Sequence, residues 1–271
     1  MEKFDRTTPV TVALRAARGI VDITASEGAP VVVDVTPMDG SDAAAEAAAQ
    51  TRVALEGDTL YIQTPHQSGW SWWRTPKLAI TIQVPLDSSL ALKTAAANVR
   101  AAGRYAVAQI DAASADVAVE DVTGDAQLKS ASGDVNVGRV GGSLKVNTAS
   151  GDQEVGDVTG DVMAESASGD ITIHGVGGSL KSRTASGDIE VGVVRRGRTE
   201  LKSASGDVEV GVAAGTAVWL DVSTASGDTR NELSMPAQPT GQESPQLELR
   251  IRTASGDIKI RRVRTDLPTA A

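Results

Sequence analysis

Hydrophobic and polar residues alternate with period two along most of this chain, and from about residue 94 the alternation itself recurs every 18 residues. Apolar–polar–apolar triplets stand at Val135-Asn136-Val137, Ile171-Thr172-Ile173, Ile189-Glu190-Val191 and Val208-Glu209-Val210. Because successive side chains of a strand point to opposite faces, each triplet predicts a half-buried strand. A second alternating run precedes each triplet, with Leu144 and Val146, Val162 and Ala164, Leu180 and Ser182, and Leu220 and Val222 as inward candidates. Glycine-rich turns such as Gly138-Arg139-Val140-Gly141-Gly142 and His174-Gly175-Val176-Gly177-Gly178 join the two runs.

Between the second run and the next triplet lies a fixed motif, Ser/Thr-Ala-Ser-Gly-Asp. Its aspartates fall at Asp134, Asp152, Asp170, Asp188, Asp207, Asp228 and Asp257, with gaps of 18, 18, 18, 19, 21 and 29 residues. Decayed copies extend the step backwards through Ala112 to Asp116 and Thr94 to Asn98. Each repeat therefore reads strand, variable turn, strand, fixed turn. Neither strand buries its apolar side alone, so the units must stack on one another. Eighteen residues also suit a three-sided β-helix, but that fold needs three apolar runs per coil and here there are two. The pattern predicts an all-β chain folded as a flattened, two-sided β-solenoid, with an antiparallel meander of hairpins as the alternative.

Residues 1–93 read as a β cap continuous with the solenoid. Strand signals there are Val10–Leu14, Ile20–Thr24, Val31–Val35 and Leu78–Val84. The alanine-rich run from Ser41 to Gln50 reads as two turns of helix capped by Ser41 or Asp42, or as a loop. Repeats occupy 94–265, interrupted by a loop at 234–245 that holds Pro236, Pro239 and Pro245, and 266–271 reads as a disordered tail. Leu247 to Ile260 then supplies the expected terminal coil, covering the open end of the stack.

Composition narrows the function classes. The chain has no cysteine, so disulfides, thiol catalysis and thiolate metal sites are excluded. Only seven residues are aromatic, which suits thin layers of Val, Ile and Ala. A net charge of −9 argues against nucleic acid as a partner, since phosphate binding needs clustered Lys and Arg. No segment approaches the ~20 apolar residues that span a bilayer, and Met1 to Pro9 has no signal-like apolar region, so the expected location is cytoplasmic, with any envelope association made through a partner.

Candidate chemistry is sparse. A column of motif carboxylates suggests calcium, as in nonapeptide β-rolls, but one carboxylate every 18 residues departs from that spacing, and turn chemistry alone explains Gly for positive φ and Ser and Asp for bonding turn amides. No metal or cofactor is expected. The histidines, His66 and His174, lie in no catalytic motif, and His174 reads as an exposed turn residue. Trp70, Trp72 and Trp73 cluster between Gly69 and Pro76, reading either as a plug for the coil end or as a binding patch for protein or glycan. Outward positions near the C-terminus carry Arg250, Arg252, Lys259 and Arg261, which read as edge protection or as a surface for an anionic protein partner or a second copy.

The recurrent Ala-Ser-Gly-Asp-Val/Ile with a following Gly-Gly or Thr-Gly turn, at Ser130 to Val135 and Thr184 to Ile189, resembles the bacterial "putative adhesin" β-strand repeat family, related to the toastrack domains of unknown function. The opening Lys3-Phe4-Asp5 with Pro9-Val10, and Arg230 to Leu233 ahead of Thr253 to Ile258, are similar to actinobacterial members. The resemblance covers most of the chain. It implies a β-solenoid without an active site, and a scaffold role beside membrane-anchored partners in cell-envelope stress systems. The chain is therefore expected to be a non-enzymatic interaction protein, with a carbohydrate-active or calcium-binding β-helix as the alternative.

Overall fold

The computed structural model describes residues 1–65, 76–233 and 246–263. The N-terminal third contains β1 (Glu2–Phe4), β2 (Thr11–Ser26), β3 (Val31–Pro37), α1 (Asp42–Gln50), β4 (Arg52–Glu56), β5 (Thr59–Gln63) and β6 (Leu78–Pro85). The stack proper begins with β7 (Ser88–Ser114), then β8 (Val117–Val122), β9 (Ala126–Ser132), β10 (Val135–Val140), β11 (Leu144–Ser150), β12 (Gln153–Val158), β13 (Val162–Glu165) and β14 (Ile171–Val176). It continues through β15 (Leu180–Ser186), β16 (Ile189–Val194), β17 (Gly197–Ser205), β18 (Val208–Ala213), β19 (Val218–Ser226), β20 (Thr229–Asn231), β21 (Leu247–Ser255) and β22 (Ile258–Val263).

Beyond the long β7, which pairs with both β8 and β9, even-numbered strands pair in parallel only with even ones and odd with odd. Each coil contributes one strand to an even column and one to an odd column, which makes the two-sided solenoid that the doubled apolar pattern predicts. Register is strict. Val135 sits between Val117 and Gln153, and Leu144 between Ala126 and Val162. A slip of one residue would turn every inward side chain to solvent, so the pattern itself locks the register. The inward Val, Ile and Leu of both columns meet in one continuous core, where Leu128, Val146, Ile173, Val191, Leu201 and Val210 are fully buried.

Parallel stacking also reaches the N-terminal third. β2 pairs with β7 from Thr11↔Ser89 to Thr24↔Ala102, and its other edge carries β5 and β6. Antiparallel strands close that end, with β3 on β6, β1 on β3 and β4 on β5. The alanine-rich run is helical, with Ser41 as its N-cap: the Ser41 hydroxyl accepts from the Ala44 N–H at 3.2 Å. Tyr105 is fully buried at this junction, and its hydroxyl donates to the Ile23 and Ala102 carbonyls, while burial pushes its phenol well above the ordinary value.

The C-terminal end departs from expectation. β17 and β18 pair with β21 and β22, which pair in turn with β19 and β20. The last strands of the sequence are thus inserted as the penultimate coil, and residues 218–231 form the outermost described one. Leu247, Leu249 and Ile251 are accordingly fully buried, whereas Val218, Leu220 and Val222 are only half-buried.

Candidate interaction surfaces

The fixed corner between the odd and even columns is built from side-chain and backbone groups of the motif. In each copy the aspartate N–H donates to Oδ1 of the aspartate one coil earlier: Asp152 to Asp134 at 2.9 Å, Asp170 to Asp152 at 2.9 Å, and Asp188 to Asp170 at 2.8 Å. The ladder starts at Asn98, whose Oδ1 accepts from Asp116, and continues from Asp188 through Asp207 and Asp257 to Asp228. A corner residue has no strand partner for its N–H, and a carboxylate from the coil below supplies one. Glycine precedes each aspartate for two reasons at once. Gly169 has φ +143°, and a Cβ there would fall onto the Gly151 carbonyl oxygen. The aspartates are exposed and spent on amides, and among the described residues no group of three or more His, Cys, Asp or Glu gathers where a metal could be held.

His174 lies exposed on β14, a strand residue instead of the turn residue expected, with Nε2 4.0 Å from Glu154 Oε1. Trp70, Trp72 and Trp73 lie outside the described residues. The four cations singled out from the sequence are split between opposite faces. Lys259 and Arg261 project from the even column and share Glu209, at 3.3 and 2.7 Å. Arg250 and Arg252 project from the odd column, where Arg250 meets Glu248 at 2.6 Å and Arg252 meets Asp221 at 3.5 Å.

Around Arg250 and Arg252 the odd face gathers further charged side chains, of which the outward column of Arg183, Lys202 and Arg252 was legible in the sequence and Arg198, Glu200, Glu248 and Trp219 were not singled out. Register stacks Arg183, Lys202 and Arg252 on three successive coils. Glu200 lies between Arg183, at 3.4 Å, and Lys202, and Glu248 between Arg198, at 2.8 Å, and Arg250. Hydrogen bonding from Lys202 holds the Glu200 carboxyl below its ordinary value, with Arg183 adding to the effect, and Arg198 does the same for Glu248. Trp219 is 45% exposed at the edge of this cluster, with the Arg250 guanidinium 5.4 Å from its ring centre. Its outward position was legible from the inward parity of Leu220 and Val222. Five cations against three carboxylates leave this quarter positive on a chain of net charge −9.

The family model of Toastrack DUF4097 matches residues 19–261. The chain belongs to that family. The match takes in β3 to β21 whole, the second half of β2 and most of β22, so the stacked coils are the toastrack domain itself. A solved "putative adhesin" from Bacteroides fragilis NCTC 9343 is similar at 14% identity, covering 96% of this chain and 95% of that one with a TM-score of 0.47. A "putative cell adhesion protein" from Clostridium sporogenes ATCC 15579 is similar at 11% identity, covering 94% and 93%, with a TM-score of 0.23. No curated protein matches the chain. No helix among the described residues of this toastrack domain is long and apolar enough to cross a membrane.

Proposed function

We propose that this toastrack protein is a non-enzymatic interaction module that presents its rigid ladder surfaces to a protein partner. The observation that carries this reading is the C-terminal quarter of the odd face. An exposed Trp stacked under an Arg, ringed by ion pairs and an excess of cations, has the composition of an interface anchor on a chain otherwise acidic. Its cations suit an acidic protein surface, where complementary charge favours encounter and register more than raw affinity. The motif carboxylates are committed to amides, which leaves the ladder a structural role.

The test uses the full chain with a photo-cross-linker at Ser223, beside this cluster. Cross-linked protein is expected, lost in a Trp219→Ala, Arg250→Glu double variant and retained in Lys259→Glu on the even face. Equal cross-linking in all three, or none, overturns the reading. Light scattering separates a second copy from a different partner. A rise in melting temperature on calcium addition, or saturable binding of a neutral glycan, would favour the alternative class.

A further inference from the structure

The odd face also carries an open trough of about 720 Å³ that runs along the solenoid axis, across the ladder of strands from Val107 to Glu200. One wall comes from the variable corners and the other from the first outward residue of each odd strand. Over the four coils from Asp125 to Lys181 the walls alternate with a period of two coils, and the next coil ends the pattern with Arg198 on the corner wall and Glu200 on the outer one. Asp125 and Asp161 stand on the corner wall, and the coils between and after them have Ser143 and Ser179 there instead. Lys145 and Lys181 stand on the outer wall with Met163 between them in register.

The alternation has a local cause. Asp125 Oδ1 accepts the Ser143 N–H at 2.8 Å and Asp161 Oδ1 the Ser179 N–H at 2.7 Å, so one carboxylate caps every second corner. Among the described residues the other oxygen of each carboxylate has no hydrogen-bond partner. Among the described residues neither Lys145 nor Lys181 is in an ion pair, and neither is Asp125 or Asp161. With ~4.8 Å between neighbouring parallel strands, like charges recur every ~9.6 Å, and the Lys and Asp rows are offset by half that distance.

That repeat selects among linear ligands. An extended strand returns the same face every ~6.7 Å and an α-helix every ~5.4 Å, and both lose register within one repeat. A polyproline II helix turns once per three residues at ~3.1 Å each, or ~9.3 Å, and stays within a fraction of an ångström of the charges over the trough. The lining is aliphatic and amide in character, from Val107, Met163 and the stems of Lys145 and Lys181, and no aromatic ring offers a platform for a sugar. We propose that the trough docks a proline-rich segment of a partner protein as a polyproline II helix, each three-residue turn carrying one acidic and one basic side chain. The acidic residues meet Lys145 and Lys181, the basic ones Asp125 and Asp161, and the prolines lie over Met163.

This inference rests on the reading of the chain as an interaction module and names a ligand for it. Its test is fluorescence anisotropy of the full chain with a labelled peptide of four Glu-Pro-Lys triplets. Binding is expected to be at least tenfold tighter than for a peptide of the same composition in scrambled order. It should weaken at least tenfold in Lys145→Glu, Lys181→Glu, and stay unchanged in Lys259→Glu, with circular dichroism confirming that each variant is folded. Equal binding of the scrambled peptide, or persistence in the double variant, overturns the proposal. So does binding of an acidic oligosaccharide in preference to the peptide. Arg198 and Glu200 border both surfaces, but Trp219 and Arg250 lie outside the trough, so peptide binding that persists in the Trp219→Ala, Arg250→Glu variant while its cross-linking is lost separates failure of one reading from failure of the other.

Discussion

The backbone N–H of Asp257 donates to Oδ1 of Asp207 at 2.7 Å across 50 residues of sequence. Rungs lower in the ladder join residues 18 or 19 apart. The long rung exists because β19 and β20 build the outermost described coil and β21 and β22 occupy the position between it and β17 and β18. The N-terminus does something similar, since β2 lies between β5 and β6 on one side and β7 on the other. Interleaving at both ends means that the outermost coils are tied to the core by segments distant in sequence.

Truncation at residue 245 therefore acts on two coils at once. Without β21 and β22, the strands β19 and β20 lose their only described neighbours, and the edges of β17 and β18 are bared. Amide exchange is expected to lose protection across 218–231 and to rise along 197–213. Unchanged protection at 218–231 would show that this coil stacks directly on β17 and β18.

Glycine at the motif corner is expected to be the least replaceable residue of the repeat. In Gly169→Ala the new methyl is forced onto the Gly151 carbonyl in a backbone conformation that L-residues rarely adopt. Strain and displacement together should cost more than about 2 kcal/mol in urea unfolding. Asp170→Ala removes only the acceptor for the Asp188 N–H at an exposed site, so its cost should be about 1 kcal/mol, and Asp170→Asn should be nearly neutral, as Asn98 already serves this role at the start of the ladder.

The coils and the ladder were legible because both follow from a local rule repeated in register: alternating Val and Ile set the strands, and Gly-Asp sets the corner. Ser41 was one of two caps the alanine-rich run offered, beside a loop, and the structure selects it. The order of the last coils was not, because the longer steps to Asp228 and Asp257 say that a connection grew without saying which edge the returning strand joins. β2 was read as two short strands, since it carries no motif copy and Ile20 stands beside Asn98 where a ladder residue would be. The cluster at Trp219 was missed for a different reason. Its members come from β15, β17, β19 and β21, and only the inserted coil brings Arg250 over Trp219.

Acid should loosen this cluster first. Glu200 and Glu248 have carboxyls held below the ordinary value of 4.5, mainly by Lys202 and Arg198. A carboxylate with a lowered folded-state pKa contributes stability that is fully present above the unfolded value and is lost as pH falls through the folded one. Stability is thus expected to be insensitive to these groups at neutral pH and to decline below about pH 4.5. Glu200→Gln with Glu248→Gln should flatten that decline in melting temperatures measured from pH 6 to pH 3. An identical slope in the variant would place the acid sensitivity elsewhere.

Gln153 offers the sharpest check on the packing rule itself. It occupies an inward position of β12 where its neighbours in register are Val135 and Ile171, and it is 1% exposed. Its Nε2 donates to Thr148 Oγ1 and to the Glu165 carbonyl, both at 2.8 Å, while its Oε1 has no partner. The Glu165 carbonyl accepts from this side chain and β13 stops there, with isolated bridges from Ser168 to Ser150 and Ser186 where β11 and β15 continue. Valine would remove an unpaired buried oxygen, worth about 1–3 kcal/mol, and give up two hydrogen bonds worth about 1 kcal/mol each. The balance is expected to lie within about 1 kcal/mol of neutral. Gln153→Val should also slow amide exchange at Ser166 to Ser168. A destabilised variant with unchanged exchange there would mean that the side chain supports the corner it interrupts.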